Sequence, residues 1–214
     1  MNKTQLTLAL LSLVASGPLA AQQATVTDPV GDFNVPFYTG VLDPGLDVTS
    51  FTVAFDGTNF NLGATMAGPI NPAIVPLYVI GVNTGAATSP GPFATIGNPN
   101  VIFNRVIIVN GQTETGSLVG NANPLVTDIN GNMFTVTVPL SFLASTGFAP
   151  RDYGFNLWPR VGLGLNSQIA DFAPNNATLS VAPEPGTWMM MILGFGFMGM
   201  ALRSRKARFP QAAT

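Results

Sequence analysis

Short alternations of apolar and polar residues, cut by turn residues, run through the middle of the chain. Phe51, Val53 and Phe55 alternate with Thr52 and Ala54; Asp56-Gly57 follows, and Phe60 and Leu62 resume the pattern. A period of two around an Asp-Gly pair predicts a β-hairpin. Leu77–Val82 and Val101–Val109 are short, nearly continuous apolar runs, and Asn110-Gly111 turns the second back into Thr113–Leu118. Asn130-Gly131 joins Val126–Ile129 to Phe134–Val138, with Phe134, Val136 and Val138 on one face. Tyr153–Trp158 and Thr178–Val181 complete the set. Between the two ends no stretch keeps a helical period, and Leu140–Ser145 fits one helical turn at most. Seven or eight short strands between Gly, Pro, Asn and Asp clusters predict an all-β fold, a single antiparallel β-sandwich.

The two ends follow another pattern. Lys3 precedes the short apolar run Leu6–Ala15, Ser16-Gly17-Pro18 breaks it, and Leu19-Ala20-Ala21 supplies small residues. This is the layout of a secretory signal peptide over residues 1–21, cut by signal peptidase after Ala21. At the other end stand Pro183-Glu184-Pro185, Trp188, an uncharged run to Leu202, and the basic cluster Arg203, Arg205, Lys206 and Arg208. The stretch Trp188–Leu202 would cover about 22 Å as a helix. It can cross a hydrocarbon core of about 30 Å if Arg203 snorkels and the bilayer thins. The basic cluster belongs on the cytoplasmic side and the middle segment outside. Gly194-Phe195-Gly196-Phe197-Met198-Gly199 has the spacing of a dinucleotide fingerprint, but no strand precedes it.

From Ala182 to Arg208 this order resembles the PEP-CTERM sorting signal of Gram-negative exosortase systems. Met189 departs from it, standing where an Ala often follows the Trp, and so does the tail Phe209–Thr214. The resemblance implies three segments: signal peptide 1–21, outer domain 22–182 and sorting signal 183–214. It implies an exosortase-type membrane protease as partner, with membrane lipid holding the helix until processing. The processed domain then goes to the cell envelope or the extracellular matrix.

Charge and missing residues narrow the chemistry of the outer domain. Arg105, Arg151 and Arg160 are its only cations, against nine carboxylates. Such a surface repels nucleic acid and suits cations or neutral sugars. The chain has no Cys and no His. Disulfides, thiolate or Ser-His-Asp nucleophiles and the usual zinc sites are thereby excluded. Carboxylate acid/base chemistry and hard-metal binding through oxygen remain.

Asp28-Pro29-Val30-Gly31-Asp32 and Asp47 put three carboxylates near the first turn. Two readings stand: a calcium site formed by Asp28, Asp32 and Asp47, or an Asx-type turn with solvated carboxylates. No other cofactor is expected. Trp158, beside Pro159 and Arg160 at a strand end, is a candidate sugar-binding platform, whereas Tyr153 and Phe155 fall on the opposite face and suit the core. Asp152 and Asp171 are a conceivable glycosidase pair, though nothing in their spacing brings them together. With Asp56–Leu62 and Gln168–Pro174, the early Asp motifs resemble DOMON-like and family-nine-like carbohydrate-binding β-sandwich modules. That resemblance implies a non-catalytic binding or structural protein, with polysaccharide as partner; the rival is a carboxylate-based glycan hydrolase.

Overall fold

The computed structural model describes residues 22–35, 37–181, 192–196 and 198. Nine antiparallel strands form one sheet in the order β1-β2-β3-β8-β7-β6-β5-β4-β9. They are β1 (Gln22–Thr27), β2 (Val48–Phe55), β3 (Asn59–Met66), β4 (Pro76–Asn83), β5 (Arg105–Asn110), β6 (Thr115–Leu118), β7 (Pro124–Asn130), β8 (Met133–Pro139) and β9 (Gly154–Val161). The all-β expectation stands, but two separate stacked sheets do not. β6 and β7 pair through Gly116↔Leu125 and Ser117↔Pro124, and this short seam joins the two halves into one continuous ladder. Gly116 permits the seam, because a Cβ there would lie 2.3 Å from Thr127 Oγ1.

The sheet curls into a half-barrel over the main core. Phe60 of β3 lies 5.0 Å from Phe155 of β9, and Tyr78 of β4 lies 4.9 Å from Phe134 of β8, measured between ring centroids. Phe51, Val53, Leu62 and Val136 meet Ile80, Ile107, Val109 and Leu157 in the same cluster. β4 is buried along its whole length because its other face is covered too. Leu77 and Val79 pack there with Phe93, Ile96, Val101, Trp158, Ile169 and Phe172. The near-continuous apolar run of β4 is therefore the mark of a strand with two covered faces.

Most strand boundaries follow the predicted pattern. The Asn130-Gly131 turn connects Asn130↔Met133, and Gly131 takes φ +62°. The loop after Asn110 is longer than a two-residue turn, pairing Asn110 with Thr115, and β5 starts only at Arg105. Leu140–Phe142 forms one 3₁₀ turn. Thr178–Val181 is not a ladder strand: Leu179 alone bridges Phe155, beside single bridges Leu157↔Ala173 and Arg160↔Ile169. These bridges cover the outer edge of β9, so the edge is shielded without a tenth strand.

Asp56 anchors the β2–β3 turn. Its Oδ1 accepts the N–H groups of Asn59 at 2.7 Å and Thr58 at 2.8 Å. These bonds, Asn59 first, hold the exposed carboxyl below the ordinary aspartate value of 3.8. A depressed folded value stabilises the fold above pH 3.8, and the gain disappears as pH falls through the lower folded value. Asp56→Ala should therefore lower the melting midpoint at pH 7. Melts repeated near pH 2 should bring variant and parent closer together.

The expected signal peptide, residues 1–21, and the sorting residues Pro183, Glu184, Pro185, Trp188, Arg203, Arg205, Lys206 and Arg208 lie outside the described residues. Within the expected Trp188–Leu202 span, residues 192–196 and 198 are helical, and Ile192, Phe195 and Met198 are exposed. Among the described residues no helix is long and apolar enough to cross a membrane.

Candidate metal centre

Three chain segments converge beyond the end of β1. Thr27 ends the strand, and Asp28 continues the ladder by donating its N–H to Thr49 O at 3.0 Å. Gly31 then turns at φ +84° and donates its N–H to Asp47 Oδ2 at 2.8 Å. Asp47 is fixed from its own side, as the residue that closes the 3₁₀ turn Pro44–Leu46 before β2. Asp43 caps the start of that turn by accepting from Gly45 N at 2.8 Å.

Asp171 comes from the far end of the fold. Ala170 donates to Pro159 O at 2.9 Å, and Asn34 donates to Ala170 O at 2.7 Å, so this segment is zipped between β9 and the 28–47 loop. Asp171 accepts Val48 N–H on Oδ2 at 2.8 Å and Phe172 N–H on Oδ1 at 2.7 Å. One oxygen each from Asp28, Asp32 and Asp171 lie within 4.8 Å of one another.

The remaining oxygens are unevenly served. Asn175 Nδ2 donates to Asp32 Oδ2 at 2.9 Å and to Asp28 Oδ1 at 3.4 Å. Asp28 Oδ2, Asp32 Oδ1 and Asp47 Oδ1 are buried and have no hydrogen-bond partner. Asp47 is 2% exposed and Asp171 1%. Burial, then the charges of Asp32 and Asp47, pushes the Asp28 carboxyl up to about 7. Burial also pushes Asp171 up to about 8, against the bonds from Val48 and Phe172. Asp47 is raised by burial and by Asp32, partly offset by the Gly31 bond.

The structure places oxygens of Asp28, Asp32 and Asp171 within 4.8 Å of one another, and Asp47 is tied to the same loop through Gly31. Asp171 is far away in sequence, and the one hint of its place was the Gln168–Pro174 stretch in the module resemblance. It does not face Asp152. Asp152 ends the 3₁₀ turn before β9, whereas Asp171 lies beside Leu157–Pro159, some six residues further along that strand. At about 3.3 Å per residue the two stand ~20 Å apart, beyond the separations of glycosidase pairs.

Trp158, the candidate sugar platform, is buried. It is 2% exposed, with its ring 4.8 Å from Phe103 and 5.1 Å from Phe93. The position beside Pro159 suggested a strand end, but β9 runs on to Val161 and carries Trp158 into the second cluster. Tyr153, Phe155 and Leu157 do occupy the opposite, main-core face. A cleft of about 540 Å³ beside β5, lined by Phe103, Arg105, Val119 and Phe142, contains no carboxylate. Another of about 270 Å³, at the β2–β3 turn, contains Asp56 alone.

Residues 181–206 match the family model of the PEP-CTERM protein-sorting motif. That motif marks an exported protein that is anchored in the membrane, processed by an exosortase and placed in the envelope or outside the cell. No curated protein matches the chain.

Proposed function

We propose that this PEP-CTERM chain delivers a non-catalytic β module to the cell envelope or the extracellular polysaccharide matrix, where it serves as a binding or structural component. The observation that carries the reading is the join between fold and motif. Val181 is 1% exposed and belongs to the main core, and the sorting motif begins at the same residue. Cleavage in the Pro183-Glu184-Pro185 stretch would leave the folded unit whole. Each Pro there fixes φ and biases its predecessor away from helix, a preference that suits a protease substrate. In this reading signal peptidase removes residues 1–21, and the Trp188–Leu202 span with its basic cluster holds the chain until the exosortase acts.

The non-catalytic part is supported by where the acids sit. Asp47 and Asp171 are buried and accept backbone N–H groups, Asp28 and Asp32 are half-buried against Asn175, and neither cleft described above holds a carboxylate pair. The burial of Trp158 favours a structural role over sugar stacking at that residue.

Glu184→Ala should leave full-length chain in the membrane fraction and reduce the released form at least ~10-fold. Intact-mass analysis of fractionated cells reads this directly. Released protein in normal amount, with an unchanged C-terminus, would refute exosortase processing at this motif.

A further inference from the structure

We propose that Asp28, Asp32, Asp47 and Asp171 form a Ca²⁺ centre that locks the first strand of the fold to its last segment. The donor set comes first. Oxygens of Asp28, Asp32 and Asp171 lie within 4.8 Å of one another. An ion with oxygen ligands at about 2.3–2.6 Å places opposite ligands up to ~5 Å apart, so one calcium can touch all three. The smaller Mg²⁺ keeps its water and takes one or two carboxylates, and three acids at one point do not suit it.

The second observation is independent of that spacing. Asp47 is 2% exposed, its Oδ2 is taken by Gly31 N–H, and its Oδ1 is buried with no partner. Gly31, which holds it, lies between Asp28 and Asp32, and the next residue, Val48, holds Asp171, so Asp47 borders the cluster on both sides. Asp28 Oδ2 and Asp32 Oδ1 are likewise buried and unpartnered. Buried acceptors without donors are rare in folded proteins, and a cation held in this cluster supplies the missing partner charge.

The outer groups behave as supports for such ligands. Asn175 Nδ2 bonds the other oxygens of Asp28 and Asp32, Gly31 orients Asp47, and Val48 and Phe172 orient Asp171. Metal ligands are commonly held in this way by donors behind them. The buried guanidinium of Arg160 is spent elsewhere, on Gly162 O, Leu165 O and Gln168 Oε1. With neither His nor Cys in the chain, all available ligands are oxygen, which selects a hard cation.

The test uses the full chain in detergent, stripped with EDTA. Calorimetric titration with CaCl₂ should show one ion per chain, bound at least ~10-fold more tightly than Mg²⁺. At free Ca²⁺ about 100-fold above Kd the melting midpoint should rise by about 5–10 °C over EDTA. Asp47→Asn keeps an acceptor for Gly31 and turns an amide toward the other acids. Its midpoint in EDTA should match or exceed that of the parent, while the calcium shift shrinks by more than half. Asp32→Asn should behave alike, and exposed Asp128→Asn should keep the full shift. The parent titration decides the matter even if a variant fails to fold. Parent melts that overlay at 5 mM CaCl₂, an equal response to Mg²⁺, or a shift undiminished in both Asp47→Asn and Asp32→Asn would each overturn the proposal.

Discussion

Trp158→Ala should lower the unfolding free energy of the processed domain by about 3–5 kcal/mol. That is a large share of the 5–15 kcal/mol a domain of this kind commands. The indole sits in a slot closed by Phe103 and Phe93. Gly81 makes room for it: a Cβ there would come within 2.6 Å of the ring. Removing the ring empties that slot, and β4 and β9, paired through Val79↔Trp158, have little freedom to collapse into it. Urea unfolding should show a lower midpoint with an unchanged slope. An exposed sugar platform would behave differently, with stability preserved and only binding lost.

Phe60→Ala should cost a similar amount, about 3–5 kcal/mol, from the opposite side of the sheet. Phe60 is fully buried and stacks on Phe55 at 4.6 Å and on Tyr153 at 5.6 Å, with Phe155 tilted against it at 5.0 Å. It therefore ties β3 to β9 across the interior through side-chain packing, since the two strands are not neighbours in the ladder. Phe60→Leu, which keeps much of the volume, should cost clearly less. Since Trp158 and Phe60 lie in different clusters, the double variant should show nearly additive losses. A strong departure from additivity would mean that the two faces of the sheet are coupled through β9.

Hairpins were legible because their signals are local. Asp56-Gly57 and Asn130-Gly131 sit between alternating runs, and both turns form where expected. β1 was missed: Gln22–Thr27 buries only small or half-covered side chains at a sheet edge and carries little apolar contrast. The single sheet was missed because it depends on a two-pair seam at Gly116 and Ser117, which no period can reveal. Pro159 suggested the end of a strand, yet β9 is the last strand of the ladder, where a missing N–H is tolerated. At the acid cluster, three of four members were within one loop of each other and could be grouped by eye. Asp171 could not, because its place depends on how the final segment closes over β9.

The ladder has a consequence for the order in which the chain can fold. β3 must wait for β8, and β4 must wait for β9, which follows it by roughly seventy residues. At about 5–20 residues per second of synthesis, that wait is ~4–14 s if export keeps pace. Early hairpins can form as they emerge, but the interior cannot close until β9 and the stretch through Asp171 are across. Non-local pairing of this kind is also intrinsically slow. β4, apolar on both faces, is thus the stretch most open to mispairing during translocation. The last piece required for closure comes just ahead of the sorting motif, so the domain cannot close before its own sorting segment is next to emerge.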